Sequence, residues 1–276
     1  MGGADLPPVG LRELHTDAGG DQVGVLAGSG ETVRFRLRGM HGDGAQPFVL
    51  LVPILAGGEG LMTKVGDSLL ARGYAVAACE RAGRALQAGQ RGPELETLFA
   101  RTVLHQRLLL RWLREGAGVR GPGFVLGISL GGMVTAVLAA LEPDLAGVAV
   151  CLSGGDIAAL IPVSSERRVQ TWRQWRRHAD GVGDDHLAWE LREALRHEPL
   201  RFAPAVPTGR VFLVSADFDT VVPRAHQDLL WEAFGRPTRL HVPLGHYSAA
   251  LLLDSIVGAV VSHFDARAAA VAPASG

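Results

Sequence analysis

Apolar positions along the chain change their period in a regular way. From Thr32 to Arg38 (TVRFRLR) apolar and charged residues alternate, placing them on opposite faces at period two. The first forty residues are therefore expected to form edge or antiparallel strands. Phe48–Ile54 (FVLLVPI) is instead a continuous apolar run, which suits a strand buried on both faces of a parallel sheet. Beyond it, apolar runs alternate with stretches of helical spacing. The spacing predicts helices over 61–72, 94–115, 131–141 and 227–234, with a last one from about 249 to 267. The strands expected between them lie at 74–79, 124–127, 148–152, 211–215 and 240–243. Strands that alternate with helices imply a mainly parallel sheet covered on both faces, of about eight strands. In such sheets, function collects in loops at the carboxyl ends of the strands.

The segment from Asp156 to Pro207 breaks this rhythm. It is rich in Arg and Trp (Trp172, Trp175, Trp189) and holds a helical stretch at 185–197. Residues 156–207 are expected to form a small helical cap inserted into a core made of residues 1–155 and 208–267. The tail, 268–276, has the composition of a disordered end.

Composition excludes several classes. The 276 residues fit one large α/β domain, which can bury roughly 75% of its unfolded surface without staples. The formal net charge of −1 and the lack of a long basic run give no support for a nucleic-acid partner. The densest cationic stretch (Arg167, Arg168, Arg173, Arg176, Arg177) reads as a solvated helix face. Cys79 and Cys151 lie in apolar strand-like runs and are expected to be buried free thiols. No secretory signal is visible at the N-terminus. Gly121–Leu141 lacks charge over a span's length, but its glycines and Pro122 break it into strand, turn and helix. The localisation expected from these features is cytoplasmic, without a membrane span. No metal-ligating spacing or phosphate loop occurs, and no cofactor or metal is expected.

The strongest chemical signal is Gly127-Ile128-Ser129-Leu130-Gly131-Gly132. It matches G-x-S-x-G between an apolar strand and an apolar helix. A nucleophile on so sharp a turn has strained backbone angles, and residues two positions to either side pass too close to tolerate a side chain. The turn also aims the amide of Leu130 at the place where an oxyanion would form. A serine hydroxyl needs a base. Among ten histidines, His105, His178, His186, His197, His226 and His263 fall in helical patterns. His246 follows the last strand directly, in a loop able to reach over the serine, whereas His241 sits within the strand pattern. The base needs an orienting carboxylate. Asp219, in DFDTVVP, stands in the loop after a strand and before a helix; Asp217 and the more distant Asp156 are the alternatives.

The order Ser129, Asp219, His246, with GISLGG, DFDTVVP and GHYS, resembles the α/β-hydrolase superfamily from about residue 48 to 267. The PILAGGEG turn and short cap are similar to the branch that includes dienelactone hydrolases and prolyl-oligopeptidase-like esterases. The resemblance implies an α/β-hydrolase fold and a serine carboxylesterase acting on short- to medium-chain acyl esters through an acyl-enzyme. The partner it implies is a small-molecule ester. The same residues would serve an acyltransferase or thioesterase, and a catalytically silent ligand-binding homologue is the alternative of another class. The chain departs from the family in lacking a His-Gly pair after the first buried strand. By position, the second oxyanion donor is the amide of Leu55, with Ala56 as the alternative. The sequence leaves oligomeric state open, a homo-oligomer included.

Overall fold

The computed structural model describes residues 6–40, 44–55 and 58–271. Within them, nine strands form one sheet in the order β1-β2-β3-β5-β4-β6-β7-β8-β9, one strand more than the pattern suggests. Strands β1 (Gly10–Thr16), β2 (Gln22–Gly28) and β3 (Glu31–Arg38) form an antiparallel meander. It joins β5 (Ala75–Cys79) in antiparallel register, with Phe35 opposite Cys79. From there the sheet is parallel through β4 (Phe48–Val52), β6 (Gly123–Ile128), β7 (Gly147–Cys151), β8 (Val211–Ala216) and β9 (Thr238–Val242).

The two periods read in the sequence have separate physical origins. In β3, Val33, Phe35 and Leu37 are buried while Thr32, Arg34 and Arg36 face solvent. In β4 every residue is buried, because helices cover both faces. Phe48, Leu50 and Val52 pack on one side with helix α2 (Gly92–Glu115), helix α3 (Leu130–Leu141) and α8 (Arg224–Ala233). Val49 and Leu51 pack on the other with α1 (Glu59–Leu70) and α9 (Leu253–Val271). The chain has the α/β-hydrolase fold.

Between β7 and β8 the chain is helical: α4 (Ile157–Val163), α5 (Arg167–Asp180), α6 (Asp184–Ala194) and the single turn α7 (Pro199–Phe202). Helices α4 to α6 contribute Ile157, Leu160, Trp172, Leu187 and Leu191 to a cluster that also takes in Leu95 of α2, Met133 of α3 and Val221 and Val222 from the loop after β8. The Arg-rich stretch is only partly a solvated face. Arg176 is 2% exposed, pairs with Asp180 and Glu190, and lies over the Trp172 ring. Its burial corrects the expectation for this residue: helix α6 supplies the carboxylate that lets the charge leave water. Ala203 and Val206, at the end of the inserted segment, belong to the main core instead.

The last helix runs through Val271, four residues beyond the expected end. Residues 272–276 lie outside the described residues. Among the described residues, one helical stretch, Ser248–Val271, is long and apolar enough to cross a bilayer by length and composition. Ile256, Val257, Val260, Val261 and Phe264 pack this stretch against the sheet. The uncharged segment 121–141 resolves into β6, a turn and α3.

Candidate active site

Ser129 stands between β6 and α3 with φ 57° and ψ −123°, a backbone region that L-residues rarely occupy. Two features hold it there. Its amide donates to the Cys151 carbonyl at the end of β7 (2.9 Å), and its carbonyl accepts from Gly132 and Met133 in the first turn of α3. The flanking glycines are required sterically. A Cβ on Gly127 would lie 2.1 Å from the Gly131 carbonyl oxygen and 2.3 Å from Thr135 Oγ1. On Gly131 it would meet the Val52 carbonyl oxygen at 2.5 Å.

Two loops from neighbouring strands converge on this turn. The loop after β9 brings His246 Nε2 to 3.1 Å from Ser129 Oγ. The loop after β8 brings Asp219 Oδ2 to 2.7 Å from His246 Nδ1. Asp219 is 6% exposed. Its Oδ1 accepts the amides of Val221 and Val222, both at 2.8 Å, so only Oδ2 is left for the imidazole. With Nδ1–H donated to a carboxylate, Nε2 presents a lone pair to the hydroxyl. The arrangement can therefore take a proton from Ser129 Oγ.

The alternatives are engaged elsewhere. Asp217 accepts from His241 Nδ1 at 2.9 Å and lies 3.5 Å from Arg224. His241 is thus paired at the surface, away from Ser129. Asp156 caps α4 through the Ala159 amide and faces Arg192. Of the remaining histidines, His105 binds Glu31, His226 binds the Gly155 carbonyl, and His197, which lies past the end of α6 rather than within it, binds Glu96. Cys79 and Cys151 are buried free thiols, and burial pushes the Cys151 thiol up to about 12.

Leu130 is the first residue of α3, where a helix amide has no intrahelical acceptor. Leu55, after β4, lines the same space as Ser129. Ala56 lies outside the described residues. Among the described residues no group of three or more His, Cys, Asp or Glu side chains is arranged to hold a metal ion.

Two cavities open from Ser129. One runs beneath α4 and α5 and is walled by Leu95, Phe99, Met133, Leu160, Ile161 and Val222. The other is walled by Ile54, Leu61, Leu152, His246, Tyr247 and Ile256. Glu166 borders both, with its carboxylate capping α5 through the Val169 amide at 2.8 Å. Neither Glu166 nor Arg81, which lines the first cavity, is singled out by sequence reasoning. The signal available for Arg81 was its position just past the carboxyl end of β5.

No family model matches the chain. Two curated proteins of Mycobacterium tuberculosis, uncharacterized proteins MT2702 (strain CDC 1551) and Rv2627c (strain H37Rv), are each 30% identical over 148 residues. The match takes in 53% of this chain but spans only 33% of their length. Among solved structures, the Butyrivibrio proteoclasticus protein Est1E with ferulic acid bound superposes with a TM-score of 0.64 at 13% identity, covering 88% of this chain and 99% of that one. The enol-lactonase of Burkholderia xenovorans gives 0.57 at 17% identity, over 87% and 99%. The Pyrococcus furiosus esterase Pf2001 gives 0.59 at 13% identity, over 94% and 93%. At these identities the likeness is one of fold.

Proposed function

We propose that the chain is a serine hydrolase that cleaves carboxylic esters through an acyl-enzyme. The observation that carries this reading is the continuous relay from Ser129 Oγ through His246 to the buried Asp219 carboxylate. His246 Nε2 takes the hydroxyl proton as Oγ attacks the carbonyl carbon. Asp219 holds the tautomer and steadies the imidazolium that forms. The amides of Leu130 and Leu55 receive the oxyanion; one such donor contributes about 2.7–4 kcal/mol to the transition state. His246 then gives its proton to the leaving alcohol, and a water molecule, deprotonated in turn by His246, releases the acyl group.

The proton transfers orient the substrate. The leaving oxygen must lie beside His246, so the alcohol occupies the cavity that His246 and Tyr247 border. The acyl chain then extends the other way, under α4 and α5, where the wall is apolar. On this reading residues 156–207 act as a cap over the acyl cavity. No step calls for a cofactor.

A series of p-nitrophenyl esters from acetate to decanoate, assayed with wild type and Ser129→Ala, tests the reading. Hydrolysis by the wild type with a preference for short to medium chains, lost in Ser129→Ala, is expected. Equal rates for the two proteins would refute it.

A further inference from the structure

The cavity that His246 borders is the roomier of the two that open from Ser129, at about 330 Å³ against about 130 Å³ beneath α4. One side of it is formed by Ile128, Leu152 and Val214, at the carboxyl ends of β6, β7 and β8. The other is formed by Leu61 of α1 with Leu253 and Ile256 of α9. None of these side chains offers a hydrogen-bond partner. The polar groups of the wall are few. Ser129 and His246 react. Glu166 borders both cavities and so stands at their junction, with Oε2 held by the Val169 amide. Tyr247 is 68% exposed, and the buried Cys151 thiol keeps its proton.

A second observation marks the same wall. Leu152 has φ 50°, in the left-handed region, where a leucine is strained because its Cβ crowds the following carbonyl. Its amide donates to the Val214 carbonyl at 2.7 Å, and the residue is buried. Strained backbone persists where the surroundings over-determine it, and it gathers at sites that hold a ligand. Here it carries an apolar side chain, one residue past β7, into the wall beside Ser129 and His246. His246 borders this cavity and not the one beneath α4. Since His246 supplies the proton to the leaving oxygen, the alcohol portion of an ester is what this cavity receives.

We propose that this cavity is a subsite for a bulky apolar alcohol, so that the preferred substrates are esters of hydrocarbon alcohols rather than of methanol or of polyols. This rests on the serine-hydrolase reading and deepens it. In acylation, Ser129 Oγ bonds to the carbonyl carbon and gives its proton to His246. The bond to the alkoxy oxygen then breaks, and that oxygen takes the proton from Nε2. The hydrocarbon part stays out of water throughout, so each methylene speeds this step, by about fourfold when fully buried. A polyol would lose its water without finding partners on the apolar side chains. Release of the acid begins after the alcohol has left, so that step is the same for every ester of one acid. The preference therefore lies in kcat/KM, while kcat converges on a common ceiling where deacylation limits.

The test holds the acid constant and varies the alcohol: methyl, propyl, pentyl, cyclohexylmethyl and 1-glyceryl acetates, followed by acetate release. In wild type, kcat/KM is expected to rise at least about tenfold from methyl to pentyl, and the cyclohexylmethyl ester should keep the gain. The pentyl ester should also exceed the glyceryl ester, whose alcohol residue has as many heavy atoms, by at least about tenfold. Two variants locate the preference. Ile256→Phe fills the cavity from α9, and Ala250→Trp narrows it from an exposed position of its wall. In each, the pentyl-to-methyl ratio should fall at least about fivefold. A ratio that survives in both folded variants, or that falls in Leu160→Trp instead, overturns the proposal. Ser129-dependent hydrolysis with equal kcat/KM for all the alcohols, or with the glyceryl ester preferred, overturns it and leaves the serine-hydrolase reading standing. Absence of Ser129-dependent turnover on every ester fails the underlying reading and the proposal with it.

Discussion

The two carboxylate oxygens of Asp219 have different partners: Oδ1 takes the Val221 and Val222 amides, and Oδ2 alone meets His246 Nδ1 at 2.7 Å. The backbone thereby fixes the rotation of the carboxylate before the imidazole arrives. Asp219→Asn should keep this packing, with its carbonyl oxygen on the two amides and its NH₂ toward His246. The imidazole would then be held in the opposite tautomer, with Nε2 protonated toward Ser129 and unable to act as a base. The expected result is a fall of about 10⁴ in kcat with little change in melting temperature. Steady-state kinetics with a thermal melt of the same variant checks it.

Ser129→Ala and His246→Ala should each lower turnover on a chromogenic ester by about 10⁶, and the double variant should be little worse than either single one. The Ser129 Oγ–His246 Nε2 contact makes the two act as a unit. Additive losses in the double variant would mean that they do not.

Gly127→Ala tests the sterics of the turn. A Cβ there would lie 2.1 Å from a backbone carbonyl oxygen, which cannot move without displacing α3 from β6. Destabilisation of about 3 kcal/mol or more is expected, measured by chemical denaturation. Gly183→Ala, whose Cβ would meet nothing within 4 Å, serves as the control.

These positions explain how much the sequence reveals. The serine turn is legible because its constraint is local: strand, glycines and helix must follow one another directly. Asp219 and Asp217 cannot be separated in the sequence, since both stand in one loop. What separates them is non-local, because His241 and Arg224 draw Asp217 outward while the Val221 and Val222 amides hold Asp219 inward. Strand β1 is hard to read for another reason: all seven of its residues are exposed, so no buried face imposes a period. The burial of Arg176 depends on the carboxylate of Glu190 arriving from α6, which no local pattern encodes.

Under the proposed function the cavity beneath α4 takes the acyl chain, and the chain-length preference should then respond to Leu160, which lies in α4 and lines that cavity. Leu160→Trp is expected to shorten the preferred acyl chain, with kcat/KM on octanoate esters falling at least about tenfold relative to acetate esters. A chain-length profile identical to wild type would place the acyl arm in the other cavity.

Glu198 ties the start of α4 to the start of α7. Its carboxylate accepts the amides of Asp156, Ile157 and Leu200, and burial raises its pKa above the usual 4.5. A carboxyl whose folded pKa exceeds the unfolded one binds more protons when folded, so its contribution to stability falls as pH rises from 4.5 through the folded value. Glu198→Gln removes that term. The stability difference, wild type minus variant, should therefore become less favourable to wild type as pH rises through this window and level off above it. Denaturation curves for both proteins across the acidic range test the sign. A difference that grows with pH would contradict it.

The most direct test of the central claim is intact-mass and peptide mapping after treatment with a fluorophosphonate probe. A single adduct on Ser129 is predicted, formed rapidly in wild type and suppressed in His246→Ala, which retains the hydroxyl but lacks the base. An unlabelled Ser129 in folded wild type, or labelling at the same rate without His246, would contradict the account.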